Sequence, residues 1–285
     1  MRAVLAALAL PDFSALVRLQ APEATVEQLS RVHPQSYVEA ILSLRPEPGD
    51  RLQLDGDTVM SHGSARAAQL AAGGAVLGVD EVMRGAVSNA FVAVRPPGHH
   101  AEPLRPMGFC LFNTAAVAAA HARAAWGLAR VAVVDFDVHH GNGTQAIFSS
   151  EAGLFYGSSH QHPCYPGTGF AGDRGVADNI FNVPLAPGTG GSEFSAGWHD
   201  ILLPALDAFA PELLIVSAGF DAHRLDPLAE LQLDDADFAD ITRALTALAA
   251  RHCVGRVVSV LEGGYDLGAL ASASAAHVRV LMQAG

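Results

Sequence analysis

The sequence predicts an α/β protein: a single domain, residues 1–285, built on an open parallel sheet with helices on both faces. Three observations predict it. Short, continuous apolar runs recur along the second two thirds of the chain, as in strands covered on both sides. Segments of helical length and periodicity separate them. Half of the 285 residues are hydrophobic and only 16% are charged, enough apolar mass to fill a large core without a disulfide or a structural metal.

Taken in order, the first 88 residues read as largely helical, including residues 34–44 and an Ala-rich stretch at 61–82. Residues 1–10 look superficially like a leader. They run through Pro11-Asp12 into a helical surface pattern, however, which reads as an ordinary helix. Strand candidates follow at 90–94, 131–134, 154–156, 180–185, 213–216 and 257–261, with helices at 113–126, 192–209 and 234–252. Cys110, Cys164 and Cys253 are an odd, widely spaced set with no Cys-x-x-Cys pair, which argues against a secreted disulfide framework and for a cytoplasmic protein. No apolar run is long enough to cross a membrane.

Charge narrows the function. Acidic residues outnumber basic ones 29 to 17, giving a formal charge of −12 that disfavours nucleic acid and mildly favours cationic partners. Every basic residue is an arginine. Without lysine, Schiff-base and pyridoxal phosphate chemistry and the lysine-bearing phosphate loop are excluded.

The turns after the strands carry the chemistry, at the edge where open α/β sheets bind ligands. One strand ends in Arg95-Pro-Pro-Gly-His99-His100, and the next in Asp135-Phe-Asp137-Val-His139-His-Gly-Asn142-Gly. A third leads into Ser217-Ala-Gly-Phe-Asp221-Ala-His-Arg-Leu-Asp226-Pro, and the last into Glu262-Gly-Gly264-Tyr265. Asp135, Asp137 and His139 are spaced by two, so on an extended strand they face one side, roughly 7 Å apart. Asp137 and His139 converge on one cation if the strand bends at its end, and Asp226 is the natural third ligand. Two carboxylates and an imidazole with a position left for water describe a catalytic zinc site, and Fe²⁺ or Co²⁺ accepts the same set. His99 and His100 follow a tight turn that presents both rings to one cavity for proton transfer, and Asp135 gains a partner by orienting one of them. Tyr265, after two glycines, is placed to donate to a developing oxyanion. The remaining histidines, among them His33, His121 and His277, read as structural or solvent-facing, without partners.

Together with Tyr165-Pro-Gly-Thr-Gly, these motifs resemble the zinc-dependent histone deacetylase superfamily, most nearly its class II-like bacterial deacetylase-like amidohydrolases. The resemblance implies the arginase/deacetylase fold, an eight-stranded, mostly parallel sheet between helical layers. It implies hydrolysis of an acyl amide, on acetyl-lysine in a peptide or on a small acetylated polyamine, by metal-activated water. Carried over, Asp137, His139 and Asp226 hold zinc; His100 is the general base and acid; His99 is its electrostatic partner, oriented by Asp135; and Tyr265 polarises the carbonyl. Phe109 and Tyr165 flank a narrow channel with Gly108 and Gly264 at its wall. A structural K⁺ site is implied at Asp135, Asp137, His139, Ser158 and Ser159.

Two departures stand out. The family begins with a strand, whereas residues 1–8 look as though they start inside its first helix, so the sheet is expected to be shortened at that end. Asn142 stands where some members have Asp behind the second histidine, and a neutral amide orients His100 without raising its pKa as a carboxylate does. Two rival readings are a catalytically silent binder of acylated or cationic ligands and a binuclear manganese ureohydrolase. The latter needs a carboxylate two residues after His139, where Gly141 stands. The sequence leaves the oligomeric state open.

Overall fold

Six of the apolar runs form one parallel sheet, and the computed structural model describes all 285 residues. In chain order the elements begin with helices α1 (Arg2–Leu8), α2 (Val26–Ser30) and α3 (Gln35–Ser43), the short strands β1 (Leu52–Gln53) and β2 (Val59–Met60), and helix α4 (Ser64–Met83). Then come β3 (Asn89–Val92), α5 (Thr114–Trp126), β4 (Val131–Asp135), α6 (Asn142–Phe148), β5 (Leu154–Gln161) and β6 (Ile180–Leu185). The chain closes with α7 (Gly191–Gly197), α8 (Leu203–Phe209), β7 (Leu213–Ala218), α9 (Asp235–His252), β8 (Val257–Leu261) and α10 (Leu267–Gln283).

The strand order is β3-β8-β7-β4-β5-β6, with every neighbour parallel. The sheet therefore has six strands where the resemblance implies eight; β1 and β2 pair separately and antiparallel. Within these 285 residues no strand precedes α1, and residues 16–25 carry no ladder, which leaves β3 as an edge. No helix is long and apolar enough to cross a membrane.

Alternation along β4 splits the core. Ala132 and Val134 face the layer of α1, α8, α9 and α10, whereas Val131 and Val133 face α4 and α5. Both sets are fully buried, as are their neighbours on β7 and β8, and each such Val, Leu or Ile side chain contributes about 1.5–3 kcal/mol. A third cluster packs α2, α3 and β2 against α4, Leu111 and Phe112, bracing the segment after β3. The helix expected at 192–209 is interrupted by one π turn at Trp198–Leu202. Pro204, which has no N–H for a carbonyl four residues back, follows that widened turn.

Three histidines read as partnerless have partners. His121 Nε2 meets Asp80 at 2.8 Å. His33 bonds the Pro103 carbonyl through Nδ1 and accepts from the Asn113 N–H through Nε2. His277, fully buried, lies 2.7 Å from the Thr242 hydroxyl and 2.8 Å from that of Ser259. Thr242 gives its own proton to the Phe238 carbonyl, so His277 Nδ1 donates and Nε2 accepts from Ser259, the pattern of a neutral ring.

Burial lowers His277 to about 3 and, as the largest cause, His33 to about 4, both far below the usual value near 6.5. The unfolded chain takes up these protons first, so stability is full above pH 6.5 and declines as pH falls through the folded values. Thermal melts are expected to show this decline, and His277→Asn to flatten it below pH 6.5 while costing about 1–3 kcal/mol at pH 7.5. An unchanged acid slope in that variant contradicts the assignment.

Candidate metal centre and catalytic site

Because the sheet is parallel, the chain leaves β3, β4, β7 and β8 at one edge, and the site assembles there. Asp135 ends β4 between Ser158 of β5 and Ser217 of β7. The chain then curls rather than continuing extended. The Asp137 N–H donates to Asp135 Oδ1 at 3.1 Å, and the His139 N–H to Asp137 Oδ1 at 2.9 Å. This curl brings together side chains that an extended strand would hold apart.

Asp137, His139 and Asp221, all buried, bring their ligand atoms within 4.8 Å of one another. His139 Nδ1 is 3.2 Å from Asp137 Oδ1 and 3.2 Å from Asp221 Oδ2. Ligands at zinc distances on a tetrahedron lie about 3.3 Å apart, so the donor set and its spacing fit a divalent cation. Charge supports the fit. Burial opposes a proton on His139, yet Asp137 and Asp221 hold its pKa far above the usual range. Burial and the neighbouring Asp137 push Asp221 up to about 6.

The carboxylate that joins Asp137 and His139 in this cluster is Asp221, whereas the sequence suggested Asp226. Asp221 lies three residues beyond β7, where Val138 N–H donates to its Oδ1 at 2.9 Å. Asp226 is carried five residues further, and its oxygens are taken by backbone N–H groups of Leu228, Tyr265 and Asp266. Nearness to the strand end was the signal in the sequence that favoured Asp221.

The tandem histidines stack with ring centroids 4.0 Å apart. His99 Nδ1 lies 3.0 Å from Asp135 Oδ2, and His100 Nδ1 lies 2.9 Å from Asn142 Oδ1. The Asn142 amide is oriented by its Nδ2, which donates to Glu102 at 2.9 Å. Its oxygen therefore faces His100, whose Nδ1 carries the proton and whose Nε2 is left basic. Burial disfavours charge on His99, but Asp137, Asp135 and Glu262 outweigh it and raise the ring to about 10. Burial and the charge of His99 hold His100 well below its usual range. Two adjacent imidazoles are thus pushed in opposite directions, His99 toward the charged form and His100 toward the neutral one.

Tyr165 stands edge-on to His100, with centroids 5.1 Å apart, and Phe109 lies 6.1 Å from the Tyr265 ring. Phe109 and Tyr165 are 43% and 37% exposed, enough to form walls at a mouth rather than core. Gly108 has φ +55°, and a Cβ there would lie 2.2 Å from the His100 ring, so only glycine lets this wall close on the histidine. Gly264 has φ +130°, and a Cβ there would lie 2.7 Å from Leu270 of α10, so this glycine packs on that helix just before Tyr265, whose hydroxyl is kept protonated chiefly by burial. Of the residues implied for potassium, Ser158 is in register with Asp135, while the Ser159 hydroxyl accepts from Trp198 Nε1 at 3.0 Å.

Several residues of the site had no role assigned from sequence. Buried Glu262 accepts from Gly98 N–H at 2.6 Å, His99 N–H at 3.2 Å and the Ser217 hydroxyl at 3.0 Å, fixing the histidine turn. Tyr156 donates to Asp135 Oδ2 at 3.1 Å. Asp57, between β1 and β2, accepts the Gly108 N–H at 3.0 Å. Glu262 was visible as the first residue past β8; the other two come from distant segments and had no local signal.

A tandem histidine pair is thus set against an Asp–His–Asp cluster at the carboxyl edge of a parallel sheet. The histone deacetylase domain matches residues 1–281, and the chain belongs to that family. It is 44% identical over 265 residues to a histone deacetylase-like amidohydrolase of Pseudomonas aeruginosa, covering 90% of this chain and 69% of that protein. It is 38% identical over 271 residues to the chloroplastic histone deacetylase 14 of Arabidopsis thaliana, covering 91% of this chain and 64% of that one. Its structure superposes on a crystal structure of the HDA15 HD domain with a TM-score of 0.92 at 38% identity, over 99% of this chain and 80% of that one. Membership supports a deacetylase or amidohydrolase activity.

The membership of this cluster makes a direct prediction. Asp221→Ala is expected to lose tightly bound divalent metal by elemental analysis, and Asp226→Asn to keep it. The reverse result would restore Asp226 to the ligand set.

Proposed function

We propose that this chain hydrolyses the acyl amide, in the simplest case the acetyl amide, of a primary amine such as acetyl-lysine or an acetylated polyamine. The observation that carries this reading is the Asp137–His139–Asp221 cluster lying beside the stacked His99–His100 pair. Asp137, His139 and Asp221 would hold one divalent cation, Zn²⁺ in the simplest case, with K⁺ near Asp135 and Ser158. Such a cation supplies Lewis acidity, polarising the amide carbonyl and lowering the pKa of water.

The chain's own groups do the rest. His100 Nε2 takes the proton from the attacking water and returns it to the leaving amine nitrogen as the C–N bond breaks, giving a carboxylic acid and a free amine. Charged His99 steadies the negative charge that grows at the reacting carbon's oxygens. The Tyr265 phenol, protonated at neutral pH, donates to the developing oxyanion. Phe109 and Tyr165 flank the amine's carbon chain, and Gly108 lets that wall close on His100.

Metal-loaded protein is expected to turn over a fluorogenic acetyl-lysine peptide or an acetylated polyamine, and chelation to abolish that turnover until metal is returned. Tyr265→Phe keeps the ring and is expected to lose about 10²- to 10³-fold in kcat. His100→Ala is expected to lose at least about 10²-fold. Absence of turnover on every acyl amine, with metal bound and the fold intact, would instead favour a silent binder.

A further inference from the structure

Tyr265 follows Gly263 and Gly264, and on sequence grounds that turn reads as flexible. The structure gives the glycines a different job. A Cβ on Gly263 would lie 2.0 Å from Asp221 Oδ2, so a side chain there would displace the carboxylate. What holds the turn is a pair of ionic side chains acting on one peptide group. Arg95 Nη2 donates to the Gly264 carbonyl at 3.1 Å, and Asp226 Oδ2 accepts from the Tyr265 N–H at 2.7 Å. That carbonyl and that N–H belong to the same peptide bond, 264–265. Arg95 comes from the segment after β3 and Asp226 from the loop after β7, the two strands flanking β8, from which the turn issues.

The grip extends beyond the peptide. The Arg95 guanidinium lies 5.8 Å from the Tyr265 ring centroid, within range of a cation–π contact. Asp226 Oδ2 also accepts from the Asp266 N–H at 3.3 Å, and its Oδ1 accepts from Leu228 N–H at 3.0 Å, fixing its own loop. Hydrogen bonds to ionised groups are the strong ones, and a half-buried setting shields them from competing water.

We infer that Arg95 and Asp226 are positioning residues: they clamp the 264–265 peptide from its two ends and so set where the Tyr265 hydroxyl stands. Neither touches the reacting atoms. The catalytic consequence rests on the reading of Tyr265 as the oxyanion donor, whereas the clamp itself does not.

The test uses the whole metal-loaded chain labelled with 3-fluorotyrosine. Only four tyrosines are present, so the Tyr265 ¹⁹F resonance is assigned by its loss in Tyr265→Phe. In Arg95→Met and in Asp226→Asn that resonance is expected to split or broaden while those of Tyr37 and Tyr156 stay unchanged, with melting temperature and metal content checking the fold. On a fluorogenic acetyl-lysine substrate, kcat is expected to fall about 10- to 100-fold with KM roughly unchanged, the scale of a misplaced group. Arg95→Lys, which keeps a charged donor, should recover part of that loss. Neither Arg95→Met nor Asp226→Asn should lower kcat further on the Tyr265→Phe background. A Tyr265 resonance unchanged in both variants overturns the clamp whatever the activity, and so do full additive losses on Tyr265→Phe. If Tyr265→Phe turns over like the parent, the donor role fails, and the resonance still decides the clamp.

Discussion

Four carboxylates at one end of the sheet, Asp135, Asp137, Asp221 and Glu262, are at most 1% exposed, and keeping so much like charge out of water is the constraint that organises everything around it. Each has an answer in the structure. Asp135 meets His99 and Tyr156. Glu262, raised to about 7 chiefly by burial, is met by two backbone N–H groups and Ser217. Asp137 and Asp221 share His139 and the N–H groups of Gly263 and Val138, and their pull on a proton at His139 marks the place for a cation.

That constraint explains why the histidine pair is asymmetric. His99 sits against Asp135 and Asp137 and is held charged. His100, one residue on and turned to the neutral amide of Asn142, feels burial and its charged neighbour instead. A carboxylate in place of Asn142 would raise His100; the amide orients the ring and leaves it able to take a proton.

The loops converge because four strands end at the same edge. Glu262 leaves β8 and holds the turn that follows β3; Asp221 leaves β7 and meets residues that follow β4. Asp226, also beyond β7, reaches the turn after β8. The site is thus a set of contacts between neighbouring strand ends, each loop fixed by a side chain from another. This is also why Asp226, so close in sequence to Asp221, makes different contacts.

The sequence alone determined the fold class and most of the site. Apolar runs long enough for strands but too apolar for a wetted face required a doubly covered parallel sheet, and the turns after them displayed His99, His100, Asp135, Asp137, His139 and Tyr265 because catalytic groups collect at that edge. Period-two spacing showed that Asp137 and His139 share a side. It did not show how sharply the chain curls after Asp135, since that depends on Asp135 and Asp137 accepting backbone N–H groups within the loop. Only the tertiary structure chose Asp221 over Asp226, counted six strands in the sheet, and joined Asp57, Tyr156 and Glu262 to the site. Those choices rest on contacts between segments distant in the chain, where hydrogen-bond partners and packing distances, rather than local residue pattern, decide which carboxylate joins His139 and which holds a turn.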